Sequence, residues 1–182
     1  MQINNEDYAI YSVSAGAFTS ATYNTPQRTK RAFGIVGYGL YALKENFPFK
    51  VFPVKISDGT KEIETECIFA LAMNGKCVAG LRMNPMGSMT DGLIEGAVIE
   101  QIEKPSLLHK IGAFFRLAGL FVFGYRFKPN KATRFFGETL RFEASDDVVW
   151  NYDGERGRSG SIEIKVLPKR VPLLIPKNNK NI

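Results

Sequence analysis

The fold class follows from the stretch Lys50–Asn74, which reads KVFPVKISDGTKEIETECIFALAMN. Apolar residues at every second position of Lys50–Ser57 predict a β-strand with one buried face. The Asp58-Gly59 pair is typical of a tight turn, and the alternating run Lys61–Glu66 after it predicts a second strand, which completes a β-hairpin. The run Cys67–Asn74 is then continuously apolar, which predicts a further strand that is buried on both faces.

The rest of the chain extends this pattern in both directions. Alternation and turn signals predict further strands at Tyr8–Ser14, Leu93–Glu100, Ala132–Phe136, Thr139–Ala144, Val148–Tyr152, Ser161–Leu167 and Val171–Ile175. Two segments favour helix instead, namely Phe18–Lys44 and a segment that opens at Lys104-Pro105-Ser106. About ten strands against one or two helical segments indicate a mainly β protein. We expect a single domain over residues 1–176, followed by a disordered polar tail at 177–182.

Composition and charge narrow the classes of function. The 182 residues carry a net charge of +6, which favours acidic partners such as nucleotide phosphates, nucleic acid or an anionic membrane surface without choosing among them. Cys67 and Cys77 are too few for a disulfide framework and no signal-peptide pattern opens the sequence, so we expect a reduced, cytoplasmic protein. The apolar span Leu107–Gly124 contains Lys110 and Arg116, which make it too charged to cross a membrane but leave contact with a bilayer surface open.

Two Asp-Gly turns carry the candidate chemistry. In the loop around Asp91-Gly92, the carboxylate and the backbone carbonyls of Ser88 and Leu93 form a partial ligand set for Mg²⁺ or Ca²⁺, since both ions prefer oxygen ligands. After the Asp153-Gly154 turn, Glu155 is a candidate general base, because a carboxylate at a hairpin tip can accept a proton from a hydroxyl in a cleft. The alternative for both is an ordinary solvated turn, since Asp-Gly supplies the positive φ angles that such turns need.

Several motifs follow one another in a defined order along the chain. They are Ala15-Gly16-Ala17-Phe18-Thr19, Asn74-Gly75, Pro85, Asp91-Gly92-Leu93-Ile94-Glu95, Asp153-Gly154-Glu155, Val166-Leu167-Pro168 and Leu173-Leu174-Ile175-Pro176. This order resembles the diacylglycerol kinase-like lipid kinase family, which includes sphingosine kinases, ceramide kinases and bacterial relatives. The resemblance covers Tyr8–Pro176 and matches the second, C-terminal lobe of these kinases. Family members carry a Gly-Gly-Asp-Gly-Thr phosphate loop in a nucleotide-binding lobe that precedes this region, and we expect that domain to be absent from this chain.

The resemblance implies a fold and a reaction. The fold is a β-sandwich lobe, with the active site in the cleft between it and the nucleotide-binding lobe. Glu155 matches the catalytic base, which takes the proton from the hydroxyl of diacylglycerol or a related lipid as that oxygen attacks the γ-phosphorus of ATP. The carboxylate of Asp91 and the main-chain oxygens of Ser88 and Leu93 match the ligands of a structural Mg²⁺, and a second role for Mg²⁺ is with ATP in the intact kinase. A lobe that holds only the base is expected to be inactive by itself.

The expected partners follow from the same resemblance. With a lipid substrate, we expect the segment Leu107–Phe123 to line an acyl-chain pocket or rest on a bilayer, and Arg28, Lys30 and Arg31 to meet anionic headgroups; the alternatives are a buried segment and a solvated charged face. We expect peripheral association with anionic membranes, ATP binding only through the other lobe, and no nucleic-acid binding, and we leave a homodimer open. His109 is expected to be a packed or surface residue. The competing hypothesis is a stand-alone, non-catalytic domain that binds anionic lipid or a partner protein.

Overall fold

A computed structural model describes residues 1–17, 49–77, 82–84, 87–101, 106–124 and 132–172. Across these ranges the chain forms eleven strands and one helix, which confirms the prediction of a mainly β fold. The strands are β1 Gln2–Ile3, β2 Asp7–Tyr8, β3 Ser12–Gly16, β4 Phe52–Ser57, β5 Glu62–Met73, β6 Ile94–Glu100, β7 Ala132–Gly137, β8 Thr139–Ala144, β9 Val149–Tyr152, β10 Glu155–Ser159 and β11 Ile162–Lys165; the helix is α1 Leu107–Phe123.

The strands form one curled antiparallel sheet. Its main path runs in the order β10-β9-β3-β5-β4-β8-β11-β1-β2, while β6 pairs with β5 and β7 pairs with β6. The predicted strands Lys61–Glu66 and Cys67–Asn74 are in fact the single strand β5, twelve residues long. The prediction of two strands was wrong because the change from alternating to continuous apolar residues marks a change of neighbours. The first half of β5 pairs with β4, and the second half pairs with both β3 and β6.

Strand β5 separates two hydrophobic clusters. Ala70 and Ala72 belong to a cluster enclosed by the curled sheet. Phe69, Leu71 and Met73 belong to a second cluster, which packs beneath α1. Successive side chains of a strand point to opposite faces. Burial on both faces, predicted from the continuous apolar run, is therefore confirmed for this half of β5.

Helix α1 begins and ends with recognisable caps. The Ser106 side chain accepts a hydrogen bond from the backbone N–H of His109, and Gly124 ends the helix with φ of 61°. Ala113, Leu117 and Leu120 form its buried face. The predicted helical segment after Ser106 is thus confirmed. Within the described part of the chain, no helix combines the length and the apolar character needed to cross a membrane.

Three further differences from the predicted elements concern the strands. The predicted strand Tyr8–Ser14 is interrupted between β2 and β3, because the backbone N–H groups of residues 10–12 bind a carboxylate instead of a neighbouring strand. Strand β10 was not predicted, since its side chains are polar and mostly exposed and give no apolar alternation. Val171 and Pro172 lie in no strand. The predicted helix Phe18–Lys44, with its basic cluster, and residues 173–182 lie outside the described residues.

Candidate functional site

The two Asp-Gly turns lie at the same end of a set of neighbouring strands. The register aligns Ser12 of β3 with Met73 of β5, and Met73 in turn with Glu95 of β6. Strand β9 pairs with β3 through Tyr152 and Val13, so the turn after β9 is level with the start of β6. Three strand spacings separate these elements, a distance of roughly 14 Å. We call this end of strands β3, β5, β6 and β9, with both turns, the Asp-Gly edge.

Buried polar side chains are concentrated at the Asp-Gly edge. Burial of a polar group costs free energy unless hydrogen bonds replace its contacts with water, so such a concentration is more typical of a functional site than of a core. Of the six buried polar residues in the described ranges, five lie at this edge, and Gln101 lies beyond the other end of β6. The five are Ser12, Asn74, Asn84, Glu95 and Asn151.

Local hydrogen bonds shape the first turn. Asp91 Oδ1 accepts a hydrogen bond from the backbone N–H of Leu93 at 3.0 Å, and Gly92 between them has φ of 79°. Ser88 Oγ accepts from the backbone N–H of Thr90 at 3.2 Å. Asp91 is exposed, whereas Ser88 is partly buried. The predicted metal ligands Ser88, Asp91 and Leu93 therefore belong to one folded loop at the surface, with a carboxylate open to solvent.

Glu95 lies just behind this loop and is only 6% exposed. Burial raises the pKa of Glu95; the neighbouring Asn84 side chain acts in the opposite direction, and the charge of Asp91 raises the pKa further. The carboxylates of Asp91 and Glu95 therefore repel each other. In the described ranges, no group of three or more His, Cys, Asp or Glu side chains is arranged to hold a metal ion. A cation at this loop would thus depend on main-chain oxygens as well as on Asp91.

The second turn is a two-residue β-hairpin turn that joins β9 to β10. Asp153 and Gly154 both have positive φ, at 52° and 102°, as a type I′ turn requires. Gly154 N–H donates to the side chain of Asn151 at 2.8 Å. Glu155 is the first residue of β10, opposite Tyr152, and its side chain is exposed. The candidate base is thus carried on a short hairpin whose turn is fixed by hydrogen bonds.

The carboxylate of Asp153 holds the neighbouring loop. Its two oxygens accept hydrogen bonds from the backbone N–H groups of Ile10 at 2.5 Å, Tyr11 at 2.8 Å and Ser12 at 2.8 Å. In return, the backbone N–H of Asp153 donates to the carbonyl oxygen of Ser12 at 3.0 Å. Sequence reasoning assigned Asp153 only to the turn. No local signal distinguishes this role, since Asp is common in such turns whether or not its side chain binds elsewhere.

Asn74 holds the same loop from the other side. Its backbone N–H donates to the carbonyl oxygen of Tyr11 at 2.9 Å, and its side-chain amide donates to that of Ile10 at 3.3 Å. The N–H groups of this loop therefore bind Asp153, and its carbonyl groups bind Asn74. The loop, which we call the Ile10–Ser12 loop, is fixed on both sides although it belongs to no strand before Ser12. It connects the hairpin of Glu155 to the end of β5.

His109 lies away from this edge. It is exposed, and its ring Nδ1 lies 2.7 Å from Ser106 Oγ at the start of α1. The main chain of His109 also accepts a hydrogen bond from the Gln101 side chain at 2.9 Å. This is the environment of a surface histidine next to a helix cap.

Nearly the whole chain matches the model of one protein family. The model of the family described as "YegS C-terminal NAD kinase beta sandwich-like domain" matches residues 11–175. A "Probable lipid kinase YegS-like" protein of Yersinia pestis (strain Pestoides F) is 25% identical over 182 residues, which cover 97% of this chain and 56% of the relative. The relative of the same name in Yersinia pseudotuberculosis serotype O:1b (strain IP 31758) has the same identity and coverage. The chain thus spans about half the length of the curated relatives it matches.

Solved structures give the same fold. A crystal structure of a putative diacylglycerol kinase from Bacillus anthracis str. Sterne superimposes with a TM-score of 0.66 at 18% identity, over 92% of this chain and 52% of that chain. A second structure, also of a putative diacylglycerol kinase from Bacillus anthracis str. Sterne, has a TM-score of 0.63 at 17% identity, over 92% of this chain and 53% of that chain. At these identities the likeness establishes the β-sandwich-like fold.

Proposed function

Because the chain belongs to the family of YegS C-terminal NAD kinase beta sandwich-like domains, we propose that it is the substrate-side lobe of an ATP-dependent lipid kinase. Its acceptor would be the hydroxyl of diacylglycerol or a related lipid. The main support is the Asp-Gly edge, where Asp91 and Glu155 lie about three strand spacings apart among buried polar side chains. Phosphoryl transfer needs a base at the reacting centre, for which this edge offers Glu155, while the Asp91 loop at the same edge offers a candidate site for a structural cation.

Glu155 is the proposed general base. Its exposed side chain lies on the outer hairpin of the edge, where a bound lipid headgroup can approach it from solvent. The carboxylate takes the proton from the lipid hydroxyl while the hydroxyl oxygen forms a bond to the γ-phosphorus of ATP. The bond between that phosphorus and the β,γ-bridging oxygen breaks, and ADP leaves. ATP would bind through a nucleotide-binding lobe, which is not among the described residues.

The Asp91 loop is the proposed site of a structural Mg²⁺. The donor chemistry fits, because Mg²⁺ takes oxygen ligands and keeps several water molecules. The loop offers an exposed carboxylate, and the main-chain oxygens of Ser88 and Leu93 belong to the same turn. A cation here would also offset the repulsion between Asp91 and buried Glu95. When bound, the ion would supply positive charge that stabilises the fold of this loop at the Asp-Gly edge.

Asp153 would position the base. Its carboxylate joins the hairpin of Glu155 to the Ile10–Ser12 loop through three hydrogen bonds, so the base moves with the sheet and not as a free tip. Catalysis depends on holding the reacting groups in a productive geometry, and small displacements are costly in rate. Asp153 itself accepts hydrogen bonds from backbone N–H groups and does not need to contact the substrate.

The test uses this chain joined to a nucleotide-binding lobe of the same family. With diacylglycerol in detergent micelles and labelled ATP, we expect transfer of the γ-phosphate to lipid. Glu155→Gln should lower kcat about 100-fold or more, since Gln keeps the size of the side chain but cannot accept the proton. The control is Glu143→Gln, because Glu143 is an exposed carboxylate on β8, outside the Asp-Gly edge. It should leave the rate unchanged.

Two results would overturn parts of this proposal. Undiminished phosphorylation by Glu155→Gln would remove Glu155 as the base. Absence of any lipid phosphorylation by the joined protein, with ATP bound, would favour a non-catalytic role for this domain. The chain by itself should transfer no phosphate, because the groups that hold ATP would be missing.

A further inference from the structure

The two ends of the curled sheet are joined through charged side chains. Strand β10 stands at one end of the main path and β2 at the other, and in the described part of the chain each pairs with one neighbour. Arg158 of β10 nevertheless reaches the β1–β2 hairpin. Its Nε donates to Asp7 Oδ2 at 2.5 Å, and its Nη2 forms an ion pair with Glu6 Oε2. One guanidinium and two carboxylates thus close the sheet at this point.

The β1–β2 hairpin is a fixed support for this contact. Asn4 in its turn has φ of 47°, as a two-residue hairpin turn requires. The backbone N–H of Asn4 donates to the carbonyl oxygen of Glu163 at 3.0 Å, and its side-chain oxygen accepts from Glu163 N–H at 2.7 Å. Its side-chain amide also donates to the carbonyl oxygen of Ser161 at 3.3 Å. The carboxylates of Glu6 and Asp7 therefore extend from a hairpin that is bonded to β11 and to the residue before it.

Strand β10 carries the proposed base, Glu155, three residues before Arg158. Asp153 attaches the turn before Glu155 to the Ile10–Ser12 loop through three hydrogen bonds. Arg158 attaches the strand after Glu155 to the two carboxylates that precede the same loop in the sequence. Glu155 thus lies between two attachments to one segment of the chain, residues 6–12. The first attachment uses an anion that binds backbone N–H groups, and the second uses a cation that binds carboxylates.

The backbone of β10 is irregular, and packing alone constrains it little. Its register with β9 shifts between Arg156 and Ser159, which marks a bulge. Gly157 lies within the shifted part, so close to the Tyr152 ring that an added Cβ would lie 2.5 Å from two ring atoms. The other side chains of β10 are exposed, so they bury little apolar surface. The ion pairs of Arg158 therefore add a constraint that burial does not supply to this strand.

We propose that Arg158 is a positioning residue for the base: through Glu6 and Asp7 it fixes strand β10 and so the place of Glu155. A guanidinium donates from two nitrogens in fixed directions, so it constrains orientation more than a single point charge does. The three charged side chains are between 36% and 62% exposed, so their effect is on the local strand and not on global stability. The inference rests on the proposed kinase function and adds to it a second attachment of the base.

Hydrogen exchange tests the attachment on this chain alone, with no nucleotide or lipid present. In Arg158→Gln the amides of residues 155–159 should exchange about fivefold faster than in the parent, while those of β4 keep their rate. Arg141→Gln is the matched control, because Arg141 Nε also pairs with a carboxylate, that of Glu163 at 2.5 Å, on strands outside the Asp-Gly edge. It should leave residues 155–159 unchanged. The proposal is overturned if these amides exchange equally in Arg158→Gln and in the parent, or if the control accelerates them as much.

Kinetics of the chain joined to a nucleotide-binding lobe separate positioning from direct contact with substrate. Arg158→Gln should lower kcat about tenfold and leave KM for ATP unchanged, and Glu6→Gln with Asp7→Asn should lower kcat by the same factor. All three changes together should cause no further loss, because they remove one interaction. The proposal is overturned if the variant of both carboxylates keeps the full rate, since Arg158 would then act on the substrate itself, or if the losses multiply. A parent that transfers no phosphate would overturn the proposed function and not the attachment, which the exchange measurement decides.

Discussion

Replacing Asp153 by Asn should loosen the Ile10–Ser12 loop and leave the turn itself intact. Asn tolerates the positive φ of 52° that this position requires, so the hairpin geometry is kept. The two carboxylate oxygens accept hydrogen bonds from three backbone N–H groups. The side chain of Asn has only one oxygen, and its NH₂ donor group takes the place of the other oxygen. At least one backbone N–H, that of Ile10 if the amide oxygen replaces Oδ1, therefore loses its acceptor.

The expected loss of stability can be estimated from these contacts. Hydrogen bonds to a charged group contribute roughly 1.5–3 kcal/mol each, and solvent at this exposed residue reduces that value. Asn keeps part of the interaction through its oxygen. We therefore expect the free energy of unfolding to fall by about 2 kcal/mol, which corresponds to a fall in Tm of roughly 4–8 °C for a domain of this size.

The assay combines urea unfolding with native-state hydrogen exchange of the amides of residues 10–12, and Asp58→Asn is the matched control. Asp58 makes a similar set of contacts, accepting hydrogen bonds from Thr60 N–H at 2.9 Å, Thr60 Oγ1 at 2.8 Å and Lys61 N–H at 2.7 Å. Partial burial opposes the effect of these bonds, but they lower the pKa of Asp58 to about 2. This turn precedes β5, at the end of that strand far from Asp153. Asp58→Asn should lose stability without faster exchange at residues 10–12.

Two outcomes would refute this reasoning. If the amides of residues 10–12 exchange equally slowly in Asp153→Asn and in the parent, the carboxylate does not hold the loop. If Asp58→Asn accelerates these amides as much as Asp153→Asn does, their protection reflects the global stability of the domain. In the kinase joined to a nucleotide-binding lobe, Asp153→Asn should also lower kcat while Asp58→Asn does not, as expected for a residue that positions Glu155.

Other predictions concern close packing, thiols and pH. Gly16 and Gly59 have similar φ, 93° and 89°, but an added Cβ would lie 2.3 Å from a backbone oxygen at the first and near no atom at the second. By urea unfolding, Gly16→Ala should therefore cost about 3 kcal/mol or more and Gly59→Ala about 1 kcal/mol. In the native protein, Ellman's reagent should modify Cys77 and not Cys67, because Cys67 is buried and burial raises the pKa of its thiol. In urea it should modify both. The pKa of Asp58 lies below its unfolded value of 3.8, so its stabilising effect is complete above about pH 5 and is lost as the pH falls toward 2. In that window the stability of Asp58→Asn, measured by urea unfolding, should vary less with pH than that of the parent.

Local pattern was sufficient to predict much of the sheet. The hairpin of β4 and β5 was predicted because both strands alternate and their turn is an Asp-Gly pair, signals that are complete within a short window. The incorrect division of β5 into two strands at Cys67 came from the same local pattern. Its cause is long-range, since Cys67 is where the neighbours of β5 change from β4 to β3 and β6. No window along the sequence contains that information.

The candidate site shows the same limit. Asp91 and Glu155 could be proposed from turn chemistry and from the order of the motifs, and they stay predictions until the base and the ion are tested. The role of Asp153 was missed because its partner Ile10 lies 143 residues away in the sequence. Asn74 was noticed as part of an Asn-Gly motif, but its hold on the Ile10–Ser12 loop also depends on strands that meet only in the folded sheet.

If this domain is the substrate-side lobe of a lipid kinase, it has to meet two demands that conflict on a single surface. The transfer step needs a rigid polar edge, and five buried polar residues with a loop fixed on both sides are arranged in that way here. Access to a membrane lipid needs an exposed apolar surface, which would disturb the electrostatics of the base if it surrounded it. In this domain the exposed apolar side chains Leu108 and Phe115 lie on helix α1, whereas the buried polar groups lie at the end of the sheet. If the segment Leu107–Phe123 meets the lipid, as the resemblance implies, Leu108→Glu with Phe115→Glu should raise KM for lipid in vesicles without changing kcat for lipid in micelles, because lipid access and transfer then depend on different residues.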